Sequence, residues 1–210
     1  MKISFIGTGL MGFPMAKNLL KKNLDLKIFS RTLEKSKPLE EFGGKIINSL
    51  SEAIIDSDII FTMLTDDDAV EKVLGNSDFL KNLKPSSTVI DMSSIKPKIA
   101  IKYGKLLKEN NVNFLDAPVS GGTIGAEQGS LAIMVGGDQK IFDNAIDFLK
   151  IMGNPTLVGP IGSGQISKLA NQIIVGVTIG AVAEAITLCE KAGVDGNKFI
   201  KALSGGFADG

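Results

Sequence analysis

Two hydrophobic rhythms alternate along the chain. Short runs rich in apolar residues, at positions 3–6, 26–29, 45–47, 59–63, 88–92 and 113–115, have the length of strands buried on both faces. Between them apolar residues recur at helical spacing, as at 15–20, 66–74 and 97–109. Strand-like and helical segments taking turns predict a parallel sheet with helices on both faces. Two later runs, 131–135 and 156–158, extend the sheet around a helix at 140–152. After Gly159 the character changes: one helical stretch runs from 166 to 192, Gly193 stops it, and a short helix at 197–203 follows. The pattern divides the chain into a doubly wound domain at 1–162 and a helical segment at 163–210.

Ligands of such sheets sit beyond the carboxyl ends of the strands. The polar and glycine clusters fall there, in the loops at 7–12, 30–32, 63–68, 93–96 and 117–125. The first is Gly7-Thr8-Gly9-Leu10-Met11-Gly12, a GxGxxG run between a strand and a helix. Its first glycine permits the bend, its second lets backbone approach a pyrophosphate, and its third lets helix and strand pack closely. The helix start adds free N–H groups and a positive dipole end. The second strand ends at Ser30-Arg31-Thr32. An NAD site usually carries a carboxylate there for the ribose 2′-OH. Here Ser30 takes that place beside Arg31, the only arginine of the chain, which suits a 2′-phosphate. NADP(H) is therefore favoured, with NAD(H) the alternative.

Composition narrows the chemistry. Net charge is zero over 210 residues, so nothing favours nucleic acid. The single cysteine, Cys189, excludes an internal disulfide framework and a cysteine metal cluster and reads as a buried or half-buried helix residue. With no histidine, proton transfer falls to Lys, Asp, Glu, Tyr or water, and no metal is expected. The apolar stretch at 170–189 contains Asn171, Gln172, Thr178 and Glu184, which favours a helix buried in protein over a membrane span. A cytoplasmic protein follows. That helix cannot bury its faces on the sheet domain only, so either another chain covers it or the sequence is a fragment.

Two clusters carry candidate reaction chemistry. Asp116-Ala117-Pro118-Val119-Ser120-Gly121-Gly122 follows a strand, and the Ser120 hydroxyl with the Gly121 and Gly122 amides forms an anion-accepting loop suited to a carboxylate. Gly162-Ser163-Gly164 leads to Lys168, Asn171 and Gln172, which share one helix face. A lysine at the start of an apolar helix is a candidate for a lowered pKa and proton transfer.

Together these residues resemble the 3-hydroxyacid (β-hydroxyacid) dehydrogenase family, which includes 3-hydroxyisobutyrate dehydrogenase, tartronate semialdehyde reductase and glyoxylate/succinic semialdehyde reductase and is similar to 6-phosphogluconate dehydrogenase. The matching elements also include Met15-Ala16-Lys17-Asn18-Leu19, Met63-Leu64 and Asp91-Met92-Ser93-Ser94. The resemblance implies a Rossmann-type doubly wound sheet, a long interdomain helix and the start of an all-α second domain. It implies hydride transfer between NADP(H) and a small 2- or 3-hydroxy acid or semialdehyde. Lys168 corresponds to the proton donor, Ser120, Gly121 and Gly122 to the substrate-carboxylate loop, and Asn171 and Gln172, both candidate catalytic-site residues, to the substrate contact beyond the lysine. Met63, Leu64 and Ser94 correspond to cofactor contacts. Family members are longer, so the resemblance also implies a shortened chain and a homo-oligomer formed through the long helix. A non-catalytic NADP(H)-binding module, or an inactive shortened member, is the alternative. Lys168 argues against the related imine reductases, which usually lack it.

Overall fold

The computed structural model describes residues 1–208. They fall into two units, Met1–Lys168 and a second from Leu169 on. In the first unit, strands β1 (Ile3–Ile6), β2 (Leu26–Phe29), β3 (Lys45–Ile46), β4 (Ile59–Thr62), β5 (Thr88–Asp91) and β6 (Asn113–Asp116) pair in parallel in the order 3-2-1-4-5-6. This is the doubly wound order, with its switch point between β1 and β4. Strands β7 (Val119–Ser120), β8 (Leu131–Gly136) and β9 (Gly153–Gly159) continue the sheet. β8 runs antiparallel to β6 and β7 and parallel to β9.

Helices α1 (Gly12–Leu20), α2 (Leu50–Ile54), α3 (Asp67–Leu74), α4 (Ser77–Asn82), α5 (Pro97–Glu109), α6 (Gly122–Gln128) and α7 (Gln139–Met152) flank the strands. Successive strand residues feed opposite faces. Phe5, Phe61, Ile90 and Leu115 join Met15 and Leu19 of α1 and Phe142 and Leu149 of α7. Ile6, Ile60, Val89 and Phe114 join Val70 of α3, Phe79 of α4 and Tyr103 of α5. Both cores are closed, which is why the central strands read as continuous apolar runs.

Three expectations change. The loop expected at 117–125 is the short strand β7 followed by α6. β7 pairs Val119 with Ile133 and Ser120 with Ala132, a contact that local sequence cannot announce. Helices α2 and α4 went unread because five or six residues show no period; their signal is the cap, with Ser49 Oγ accepting the Glu52 N–H (3.2 Å) and Asn76 Oδ1 the Asp78 N–H (2.8 Å). β9 starts at Gly153, ahead of the expected 156.

Helix α8 (Ser163–Lys191) is continuous over 29 residues. In the second unit it ends at Lys191, Gly193 (φ +81°) turns the chain, and α9 (Gly196–Leu203) follows, capped by Asp195. As expected of a helix that the sheet domain alone cannot cover, α8 carries exposed apolar residues: Ile173 and Ile174 are each 67 % exposed. Among the described residues it is the one helix long and apolar enough, by length and composition, to cross a membrane. Cys189 is half-buried.

Candidate active site

The loop after β1 is built on close contacts. Gly7 has φ +97°, and a Cβ there would collide with the Met63 carbonyl. Its N–H donates to Phe29 C=O (2.8 Å), while Met63 N–H donates to Ile6 C=O (2.9 Å), so β1, β2 and β4 meet at this residue. Gly12 lies under Gly7, and its missing side chain lets α1 start directly below the loop. Gly9 differs: a Cβ would meet nothing within 4 Å, and its φ is ordinary. Neither protein packing nor backbone conformation asks for glycine there. The open approach to its backbone fits a ligand that comes close to the chain, as a pyrophosphate does. Met11, at the helix start, supplies no side-chain cap, so the first-turn amides of α1 fit an anion.

A cavity of about 170 Å³ lies at the switch point. It gathers Gly7, Thr8 and Gly9 with Ser30, Arg31 and Thr32 of the β2 end and Met63 and Leu64 of the β4 end. Lys35 and Lys72 join them, and no carboxylate lines it. The adenosine half of a dinucleotide bound here would meet three cations. The sequence alone assigned neither lysine to the site, although Lys35 lies four residues beyond Arg31. Thr8 contributes backbone rather than its hydroxyl, which is buried against Ser36 Oγ (2.8 Å). Leu10, 85 % exposed, lines a neighbouring cavity of about 550 Å³ with Phe13, Lys17 and Lys21. Ser94 is exposed and shares a shallow depression with Thr65 and Asp66 to Asp68.

On the other side of the sheet's carboxyl edge, Asp116 is the anchor. It is fully buried, with Oδ1 accepting the Gly162 N–H (2.7 Å) and Oδ2 the Gln165 N–H (2.9 Å). These bonds dock the start of α8 on the end of β6. Gly164 makes the docking possible, because a Cβ there would sit 2.6 Å from the Asp116 carbonyl. Burial pushes the Asp116 carboxyl up to about 6, against the pull of those amides.

Lys168, three residues past Gln165, is half-buried, and desolvation lowers its pKa from the usual 10.5. Ser120, half-buried, lies four residues past Asp116 on β7, and Gly121 (φ +133°) and Gly122 (φ +62°) turn the chain into α6 without a side-chain cap. The loop expected to accept a carboxylate follows Asp116 in sequence, and the lysine helix is docked on it. In the second unit Asn171 Nδ2 donates to Gln172 Oε1 (3.0 Å).

Asp91, Ser93 and Gln165 also carry polar structure here and were not singled out as site residues. Each is buried, and each bonds to a group distant in sequence, as Thr62 Oγ1 does to Asp91 Oδ1 (2.7 Å).

The family model for the NAD binding domain of 6-phosphogluconate dehydrogenase matches residues 2–198. 2-Hydroxy-3-oxopropionate reductase of Escherichia coli is 42 % identical over 210 residues, covering 99 % of this chain and 72 % of that protein. A probable mitochondrial 3-hydroxyisobutyrate dehydrogenase-like protein of Arabidopsis thaliana is 37 % identical over 208 residues, covering 99 % and 70 %. Among solved structures, 3-hydroxyisobutyrate dehydrogenase of Mycobacterium tuberculosis with L-serine superposes with a TM-score of 0.91 at 31 % identity, covering 99 % of this chain and 71 % of its own.

Proposed function

The chain belongs to the 3-hydroxyacid dehydrogenase family, NAD(P)-dependent oxidoreductases acting on small hydroxyacids, and we propose that it uses NADPH to reduce a small 2- or 3-oxo acid or semialdehyde, with Lys168 as proton donor. The observation that carries this reading is a half-buried lysine of lowered pKa on a helix turn docked at the sheet's carboxyl edge.

The dihydronicotinamide, when bound, supplies a hydride to the carbonyl carbon. As negative charge grows on the carbonyl oxygen, the Lys168 ammonium stabilises it and gives up a proton, leaving a hydroxyl on the product and a neutral amine that solvent reprotonates. The Ser120 hydroxyl and the amides of Gly121 and Gly122 hold the substrate carboxylate. Asn171 and Gln172, on the same helix as Lys168, supply further polar contacts to substrate. On the cofactor side, Arg31, Lys35 and Lys72 hold the 2′-phosphate, with Ser30 and Thr32 beside it, which supports NADP(H) over NAD(H). The backbone of Gly7, Thr8, Gly9, Leu10, Met11 and Gly12 takes the pyrophosphate, and Met63, Leu64 and Ser94 flank the rest. A cysteine-poor chain without disulfide framework supports a cytoplasmic setting. The exposed apolar residues of α8, such as Ile173 and Val177, support self-association through that helix, to be read by sedimentation velocity.

Oxidation of NADPH and NADH is to be followed with glyoxylate, succinic semialdehyde and tartronate semialdehyde, and the reverse reaction with 3-hydroxyisobutyrate. Turnover with NADPH well above NADH is expected for at least one of them. Equal or better use of NADH overturns the assignment of the 2′-phosphate to Arg31. NADPH binding without turnover on any substrate overturns the reductase in favour of a binding module.

A further inference from the structure

A continuous hydrogen-bond path, buried from Ser93 onward, joins the loop after β4 to the first turn of α8. Leu64 N–H donates to Ser93 Oγ (2.9 Å), and the Ser93 hydroxyl donates to Asp91 Oδ1 (2.6 Å). The Ser93 carbonyl accepts from Gln165 Nε2 (2.8 Å), and Gln165 Oε1 accepts the Ile95 N–H (3.0 Å). The Gln165 N–H then reaches Asp116 Oδ2 (2.9 Å). Gln165 is 1 % exposed. Both ends of its amide are bonded to the segment after β5, and its backbone is bonded to β6. Lys168 lies at i+3 on the same side of the helix.

A buried amide is costly unless its groups are paired, and an apolar residue of similar size would fill the space without that demand. What a fully paired amide adds is a defined geometry. We propose that Gln165 is a positioning residue for Lys168: it fixes the rotation of the first turn of α8 against the segment carrying Ser93 and Ser94, and so sets where the amine stands relative to the reacting carbonyl. The inference rests on the reading of Lys168 as proton donor. A displacement of about 1 Å in such a group costs up to about a hundredfold in rate.

Two substitutions separate positioning from support. Gln165→Met keeps the volume and loses every side-chain bond. Gln165→Glu keeps the acceptor for Ile95 N–H but can donate to the Ser93 carbonyl only when protonated. The titratable groups sharing the path are Asp91 on β5, Asp116 on β6 and Lys168 on α8; the two carboxyls disfavour ionisation of a glutamate there. Dividing the kcat of each variant by that of the wild type at each pH removes their shared titration.

Gln165→Met is expected to lose about tenfold to a hundredfold in kcat at every pH. Gln165→Glu should recover towards the wild type as pH falls. NADPH affinity, read from the fluorescence of the reduced nicotinamide, should stay within about twofold of the wild type in both, because Gln165 does not line the switch-point cavity and the glycine loop that takes the pyrophosphate is unaltered. In the cofactor-free protein, acylation of the Lys168 amine should shift in Gln165→Met towards the pH profile of an exposed lysine. A Gln165→Glu ratio flat with pH overturns the proposal, as does wild-type kcat in Gln165→Met; if the latter does not fold, the glutamate ratio decides. Lys168→Ala is run alongside. If it retains full turnover, the reading of Lys168 fails; if it is inactive while both Gln165 variants behave as wild type, only the positioning role fails.

Discussion

Asp91 and Asp116 are cross-strand partners on β5 and β6, both fully buried, and burial pushes each carboxyl from 3.8 up to about 6. The folded protein therefore keeps these protons in a pH range where the unfolded chain has released them. Their contribution to stability is greatest in acid and is lost as pH rises from 3.8 through about 6. Asp25, Asp58 and Asp67, lowered by their lysine partners, act in the opposite sense, but they lie at the surface, where such pairs contribute little.

Asp91→Asn tests this. Its Oδ1 still accepts from Thr62 and Ser93, and its amide nitrogen replaces Oδ2, which has no partner among the described residues. The variant should gain on the wild type by on the order of 3 kcal/mol between acid and neutral pH, as two pKa units imply. Thermal melts across that range check it; parallel curves for the two proteins refute it.

The glycines of the first loop should separate stability from binding. Gly7→Ala meets the Met63 carbonyl at a positive φ and should cost about 2 kcal/mol or more. Gly9→Ala meets no protein atom within 4 Å, so its melting temperature should stay close to the wild type's while NADPH affinity drops. Calorimetric melts beside a binding titration read both effects.

Arg31→Ala removes one of three cations at the switch-point cavity. The KM for NADPH should rise about tenfold to a hundredfold, the value of one charge-assisted contact, with the KM for NADH little changed. Steady-state kinetics with both cofactors measure it.

Lys168→Ala should lower kcat about 10²- to 10⁴-fold while leaving NADPH affinity intact. In the wild type, reduction should fall off with rising pH below the ordinary lysine value of 10.5, because burial lowers this amine and the reaction needs its proton. A pH–rate profile of the reduction provides the check.

The central strands were legible because burial on both faces leaves unbroken apolar runs, as in Ile3–Ile6. The first loop was legible because its chemistry is local: strand, three spaced glycines, helix. The bond between Asp116 and Gln165 was not, because the two lie 49 residues apart and nothing local pairs them. Lys35 and Lys72 were hidden in charged stretches that read as solvated surface; only the fold brings them beside Arg31. Helix α8 was legible as a helix and as one that the sheet domain alone could not cover; what lies against it was not legible, since an apolar length does not name its partner.

The three cations of the switch-point cavity stand at its exposed rim rather than in its interior. Charges so placed are screened over about 8 Å at physiological ionic strength. Added salt weakens their pull on a phosphate dianion far more than it weakens uncharged contacts such as those proposed for Gly7, Met63 and Leu64. If these cations hold the 2′-phosphate, as proposed, the preference between the two nicotinamide cofactors is not a fixed constant of the pocket: it should narrow as the medium becomes more concentrated.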